Sequence, residues 1–512
     1  MKQAFWVRHS AFKPYKVSFP IQWRLIDPYK NKNWLHHFNS LRWLLNETND
    51  GLIKDILMSF YNYHCVKKVN NPYYFDLRGD HTGAIRLGVL CTLKDRFEAA
   101  EEKSIPSIGI CNRLILEEIR NLQRPQIYRI GHNHGLMLDI ALLKIIVERQ
   151  DLAKYVNLEF VVERSAETLD LMWYESGLTK EHSISYQEYN LPITIEYFEL
   201  LELLDIVLTS VVRLSNIIKE SKKILGFALK SNGEYFPLGD SFREPKPAIL
   251  EEVYAKASKK ETNAHELLSP YSMEEGCYGN EHFFFYRKTI NGKKIHFAAT
   301  SCWDSHSHKQ NDELSFCLEV DGVSLFDDPG YSEFVSRKTG LLLGSEQNHS
   351  TLQVLGTEWS DKSTPNGKSY IISHQEELDG FRLKMQCERV EGVVFTREIE
   401  LNNDGVTIKD VISGALPQSA EVVRRFVCGE GIQVNKLKTD YLTLTYDNRH
   451  ITNIQLYSSQ LLSDEINHDE QIDLVLRDRR YVSPVKVLEH KVKSSNTQQV
   501  IDDFFAIMEV RF

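Results

Sequence analysis

The hydrophobic pattern of this chain changes period part-way along, which rules out a single uniform architecture. Over residues 192–225, "PITIEYFELLELLDIVLTSVVRLSNIIKESKKIL", apolar side chains recur every three and four positions, with Leu and Ile dominating. That spacing is the mark of amphipathic helices. "GLMLDIALLKIIVERQ" (135–150) and "WLHHFNSLRWLLNE" (34–47) repeat it. The second half alternates instead. "ELSFCLEVDGVSLF" (313–326) is two alternating runs around Asp321-Gly322, and "FTREIELNNDGVTIKDVI" (395–412) does the same at Asp404-Gly405. Asp-Gly suits a type I′ hairpin turn. "NGKKIHFAAT" and "NIQLYS" continue the strand style. Helices packed on helices followed by an antiparallel sandwich is the architecture these periods predict. The charged, proline-bearing stretch 244–266 suits an interdomain connection. The expected division is a helical domain over 1–245, a linker over 246–266 and a β-sandwich domain over 267–512.

At 512 residues the chain exceeds what one core usually supports, so two domains are also expected from size. The net charge of −10 argues against a nucleic-acid surface but leaves room for a local basic cleft on a polyanionic ligand. The first residues lack the apolar core of a signal peptide, and no run spans a bilayer. The expectation is therefore a cytoplasmic protein without membrane insertion, with a periplasmic one as the alternative. Eight cysteines are scattered singly from Cys65 to Cys428, which reads as buried apolar thiols rather than disulfides or zinc ligands. No P-loop, dinucleotide glycine fingerprint, HExxH or GxSxG motif is present, so kinase, NTPase and serine-hydrolase chemistry lacks its local parts.

Four polar clusters remain. "YRIGHNHGLMLD" puts His132, Asn133, His134 and Gly135 at the start of a helix pattern. Asn133 there is either the helix cap or, with His134, part of an anion site at the helix N-terminus. "KEHSISYQEYNLPI" holds Glu181, His182, Ser183, Tyr186 and Tyr189, and reads either as a helix start with aromatic packing or as a proton-transfer site. "SHSHKQNDELSF" places His306 and His308 at alternate positions, on one face if the segment is a strand. That pair suits a metal or a single catalytic base. "RKTGLLLGSEQNHSTLQV" carries Arg337 and His349.

Taken in order, these clusters resemble the heparinase II/III-like polysaccharide lyases, a group that includes alginate lyases. "RGDHTGAIR" (78–86) resembles that family's early Asp-His…Arg segment, "GHNHG" its Asn-His element and "EHSISY" its Glu-x-Ser-x-x-Tyr element. "YFPLGDS" (235–241) resembles its Gly-Asp turn, and "HKQNDELSF…DDPGY…NHSTL" the start of its C-terminal domain. The resemblance implies an incomplete (α/α) toroid followed by an antiparallel β-sandwich, and β-elimination beside a uronic acid. It implies that Asn133 and His134 hold and neutralise the uronate carboxylate. Tyr186 would protonate the leaving oxygen, and His308 would take the C5 proton. His81, Arg86, Glu181 and Arg337 would bind substrate. The implied partner is an anionic polysaccharide, with no cofactor required.

In the family's HxHxD pattern a second histidine, the DPG aspartate and a later histidine bind structural zinc. Here Gln310 stands in the first of those places, with Asp328 and His349 in the others. Glutamine is a poor zinc ligand, so the expected metal is weak or vestigial. A second register makes His306 catalytic and His308 a ligand. Two other functional classes stay open: a catalytically silent glycan binder of the same fold, and a metal-dependent hydrolase using His306, His308, Asp328 and His349.

Overall fold

A computed structural model describes residues 4–10, 12–23, 28–66, 80–101, 104–206, 209–243, 275–305, 307–332, 335–414, 421–438, 441–458, 465–467, 473–478, 481–485, 487–493 and 501–511. The expected linker 246–266 lies outside them. The chain divides into two units, Met1–Met172 with Ile193–Leu214, and Trp173–Pro192 with Ser215–Phe512.

The first unit is helical, opened by an antiparallel hairpin of Ala4–His9 and Phe12–Ser18. Its helices include Lys32–Ser40, Asp50–Tyr61, Asp80–Ala99, Ile105–Leu122, Asn133–Glu148 and Leu158–Met172. In Ile105–Leu122 the buried face is Ile110, Cys111, Leu114, Ile115, Ile119 and Leu122, the three-and-four spacing of a core-facing stripe. The apolar run at 34–47 is not one helix. It breaks at Leu41, whose φ of 60° closes Lys32–Ser40 before a 3₁₀ turn over Arg42–Asn46. Between helices the charges are paired: Arg164 donates to Asp139, which also accepts from the Tyr128 hydroxyl at 2.6 Å. Among the described residues no helix is long and apolar enough to cross a membrane.

The second unit is dominated by antiparallel sheets. Eight strands run in the order Ile432–Lys438, Tyr441–Tyr446, Arg449–Ser458, Ile501–Arg511, Gly405–Gly414, Val393–Asn402, Gly380–Val390 and Tyr370–Glu377. A five-stranded sheet runs in sequence order from Gly276–Gly279 through Phe283–Ile290, Lys293–Thr300 and Phe316–Val320 to Val323–Phe326. A four-stranded sheet contains Glu421–Val427 and Leu352–Val354. One continuous apolar core joins all three, with Phe297, Phe316, Phe381, Ile408 and Phe426 fully or almost fully buried. Strand Val393–Asn402 alternates strictly between buried and half-buried positions, as a sheet with one face inward requires. Three buried positions of these sheets are ionic. Asp410 accepts from Arg397 and Arg424 at 2.6 to 2.9 Å, all three fully buried.

Both expected hairpins form. Asp321 and Gly322 have φ of 50° and 82°, the two positive values of a type I′ turn. The second turn sits one residue earlier than the Asp-Gly pair suggests, because Asn402 pairs with Gly405 and leaves Asn403-Asp404 as the loop. Gly405 is required there for another reason. A Cβ on it would lie 1.9 Å from the Val510 carbonyl oxygen of the neighbouring strand.

Candidate active site

In the second unit, four loops far apart in sequence are tied together by short hydroxyl contacts. Ser183 donates to the Asp240 carbonyl at 2.9 Å and shares a 3.0 Å hydrogen bond with Ser241. Phe242 N–H donates to Ser185 Oγ at 2.8 Å, and Tyr331 N–H donates to the Ser241 carbonyl at 2.8 Å. The segments "EHSIS", "LGDSF" and "DDPGY" are thereby one assembly. Gly239 makes it possible. Its φ is +65°, and a Cβ would meet the His182 carbonyl oxygen at 2.2 Å.

The fourth segment brings His308. The segment is not a strand: His308 lies in a turn, with φ of 54°, and the next strand begins at Phe316. His306 falls outside the described residues. Left-handed backbone at a histidine costs of order 1 kcal/mol and persists only where surroundings impose it. Here Asp240 N–H donates to the His308 carbonyl at 3.2 Å, while His308 Nδ1 faces Asp240 Oδ2 at 3.3 Å. An ionised carboxylate can only accept, so this contact puts the ring proton on Nδ1 and leaves Nε2 as a base. Gln310 Nε2 donates to the other Asp240 oxygen at 3.0 Å.

Tyr186, in the first turn of the helix Ile184–Leu203, lays its ring on His308, with centroids 3.4 Å apart and planes 16° from parallel. Glu181 closes the far side, its Oε2 3.5 Å from His308 Nε2. Burial raises the Glu181 pKa, opposed by the His308 charge and by Asn190.

Asn133, His134 and His81 belong to the first unit. Asn133 is not the helix cap. His132 caps Asn133–Glu148, its ring accepting from His134 N–H, so Asn133 is the first helical residue, with its side chain buried. The His81 and His134 rings meet in a tilted contact, centroids 4.2 Å apart and planes at 44°, with His36 4.7 Å from His81 and His132 4.5 Å from His134. The family-like segments at 78–86 and 131–135 therefore do meet. Gly135 permits this turn, since a Cβ there would lie 2.3 Å from the Arg129 carbonyl oxygen.

Arg86 requires a correction. It is fully buried, with two hydrogen bonds of 3.0 Å to Glu118 and one of 2.7 Å to the Asn39 carbonyl. It ties helices together and has no exposed N–H to offer a substrate. Arg337 is exposed at the first residue of the helix Arg337–Leu343, capped by Ser336.

Of the trio Gln310, Asp328 and His349, the last two are paired with each other. Asp328 accepts from His349 Nδ1 at 2.9 Å, Ser315 Oγ at 3.2 Å and Gly330 N–H at 3.3 Å. Burial alone would lower the His349 pKa, yet the Asp328 charge raises it. These contacts make a closed ion pair in which Asp328 faces Nδ1, while the buried Nε2 of His349 lies on the other edge of the ring without a hydrogen-bond partner among the described residues.

Sequence reasoning quoted Asp240 only as part of a turn and did not single out His36. The Gly-Asp pair was a usable signal for Asp240, because a glycine forced to positive φ fixes the residue after it. A cavity of about 380 Å³ in the first unit, lined by Leu87, Cys91, Met137, Ile140, Lys144 and Glu196 among others, holds none of these candidates.

Residues 295–480 match the family model described as heparinase II/III-like, C-terminal. The fold is that of solved heparinase III structures, a helical region followed by antiparallel sheets. One heparinase III superposes with a TM-score of 0.73 at 12% identity, covering 99% of this chain and 80% of that one. A second, with methylated lysines, gives 0.71 at 12% identity over 100% and 82%. The heparan sulfate lyase HepC from Pedobacter heparinus gives 0.67 at 13% identity over 98% and 80%. No curated protein sequence matches the chain.

Proposed function

We propose that this chain is a polysaccharide lyase that cuts a uronic-acid-containing glycan by β-elimination. The observation that carries the reading is the face-to-face stack of Tyr186 on His308, with Asp240 on one imidazole nitrogen and Glu181 near the other. Two proton carriers in van der Waals contact, one of them oriented by a carboxylate, are what elimination of an alcohol needs and what simple glycan binding does not.

In the proposed step His308 Nε2 takes the proton from C5. The released electron pair forms the C4–C5 double bond, and the C4–oxygen bond breaks. The Tyr186 hydroxyl protonates the departing glycosidic oxygen. Asp240 and Glu181 then face an imidazolium rather than a neutral ring, so their attraction is greater after proton transfer than before it. Asn133 and His134 are assigned the uronate carboxylate, whose neutralisation lowers the cost of the enolate-like transition state. The N–H groups opening Asn133–Glu148 favour an anion in the same place. His81 packs against His134 and is assigned a positioning role. No metal enters the step.

The relatives in structure are named for heparin and heparan sulfate, so chains of that type are the first to try, followed by other uronate polymers. The test is ultraviolet absorbance during incubation with such a panel, with Tyr186→Phe as control. Elimination leaves a conjugated unsaturated uronate that absorbs, whereas hydrolysis leaves none. A rise with the natural protein alone supports the reading. Binding without any rise overturns it in favour of a silent glycan binder.

A further inference from the structure

A second cluster of polar side chains lies at the end of the five-stranded sheet. Phe283 pairs with Thr300 across adjacent strands, so His282 and the Ser301-Cys302-Trp303-Asp304 turn emerge side by side. Ser301 N–H donates to the His282 carbonyl at 3.1 Å and fixes that register. Trp303, 2% exposed, lies under the Arg389 guanidinium at 4.5 Å and anchors the turn between Cys302 and Asp304. One ligand atom each from His282, Cys302 and Asp304 lies within 4.8 Å of the others.

His282 is 2% exposed, and neither of its ring nitrogens has a hydrogen-bond partner among the described residues. A buried imidazole in that state forfeits roughly 1–3 kcal/mol unless something else meets it. Its Nε2 nevertheless approaches Asp304 Oδ2 to 3.3 Å without hydrogen-bond geometry. Two ligands of one tetrahedral zinc, each about 2.1 Å from it, stand roughly 3.4 Å apart in this way. The contrast with His349 and Asp328 is direct, because those two do form a hydrogen bond.

We infer that His282, Cys302 and Asp304 form a binding site for a single divalent zinc-class cation. A thiolate, an imidazole and a carboxylate are a donor set of the kind zinc selects over calcium or magnesium. Separations up to 4.8 Å exceed the tetrahedral value by up to about 1.4 Å, so binding draws the three inward. The Asp304 side chain, 33% exposed, provides the entry path, while Cys302 is 1% exposed.

The surroundings supply a supporting shell. The Tyr174 hydroxyl donates to Asp304 Oδ2 at 2.9 Å, and its ring packs tilted against His282, centroids 4.6 Å apart. His182 lies against Cys302, with its ring nitrogens 3.3 and 3.4 Å from Sγ, and is the nearest candidate for a fourth ligand. The nearby cation Lys309 is committed to Asp312 and Glu313, which offsets its repulsion of an incoming ion. Burial pushes the Cys302 thiol well above its ordinary pKa, so the ion must displace a proton to bind. His182 follows Glu181, so an ion here would brace the loop that carries the proposed acid–base pair, although the inference does not depend on that activity.

The experiment is titration of the full, metal-stripped chain with cobalt(II), followed by zinc. The expected result is one equivalent of cobalt with an intense thiolate-to-metal absorption, displaced by zinc, and about one proton released per ion at neutral pH. Cys302→Ser should abolish the thiolate band, and Asp304→Asn should weaken binding about a hundredfold or more, above the loss typical for a supporting residue. Asp304 is partly exposed, so that variant keeps the fold if Cys302→Ser does not. Absence of cobalt binding by the natural chain overturns the site. So does binding without a thiolate band, or a band that survives Cys302→Ser.

Discussion

The His308 imidazole lies flat on the Tyr186 phenol, 3.4 Å between centroids, one reaching the contact from a turn and the other from the first turn of a helix. The stack fixes which substitutions separate chemistry from folding. Tyr186→Phe keeps the ring and removes only the hydroxyl. Turnover of uronate glycan should fall by about 10²–10⁴ with the thermal midpoint nearly unchanged, as measured by absorbance kinetics and calorimetry on the same preparation. An unchanged rate would remove Tyr186 from the proton path.

Asp240→Asn tests orientation. The amide keeps the shape of the carboxylate, but its oxygen cannot stabilise an imidazolium as a charge does. A loss of about 10–100-fold in kcat, with little change in KM and an altered acidic limb in the pH profile, is expected. A purely structural Asp240 would instead lower stability and leave the pH profile of the surviving enzyme unmoved.

Gly239→Ala places a Cβ where the His182 carbonyl oxygen already lies, on a backbone with φ of +65°. The Asp240 turn must then shift. Destabilisation of about 1–3 kcal/mol in urea unfolding is expected, together with loss of activity, although residue 239 itself meets no substrate. Gly292, also at positive φ but with open space around it, provides the control. Gly292→Ala should cost less and leave activity intact.

Asp327 gives an acid-stability prediction. Burial alone would raise its pKa, but the Arg243 and Lys230 charges more than offset this and hold it near about 2. A carboxyl depressed from 3.8 to about 2 contributes roughly 2 kcal/mol of stability above about pH 4, lost as the pH falls through 2. Urea midpoints between pH 4 and pH 2 should show that loss. Asp327→Asn should flatten it and lower stability at neutral pH by roughly 3–5 kcal/mol, because two buried cations lose their partner.

Much of this fold could be read in the chain because hydrophobic periods are local. The helices over 133–148 and 105–122, and the hairpins at 321 and 403, need only neighbouring residues to declare themselves. The site was legible where a family-like pattern marked it, as with Tyr186 and His308, and less so where a role depends on distant partners. Arg86 could have faced a substrate or a buried acid, and only Glu118 across the helix pair decides it. Asn133 looked like a cap because Asn often is one, until the His132 ring took that position. The alternate histidines left strand and turn both open, and the contacts to Asp240 hold His308 in a turn. His282 and Cys302 gave no spacing signal, since strand pairing rather than a short motif brings them together.

The serine ties among residues 183, 185, 241 and 242 have a consequence for biosynthesis. The proposed acid–base pair needs both the segment of Tyr186 and that of His308, and the segment at Tyr331 completes its frame. A nascent chain that has made only its helices therefore carries the phenol without its base. Contacts of this sequence range form late in folding, so the growing polypeptide should stay chemically inert toward glycans until much of its sheet region has left the ribosome.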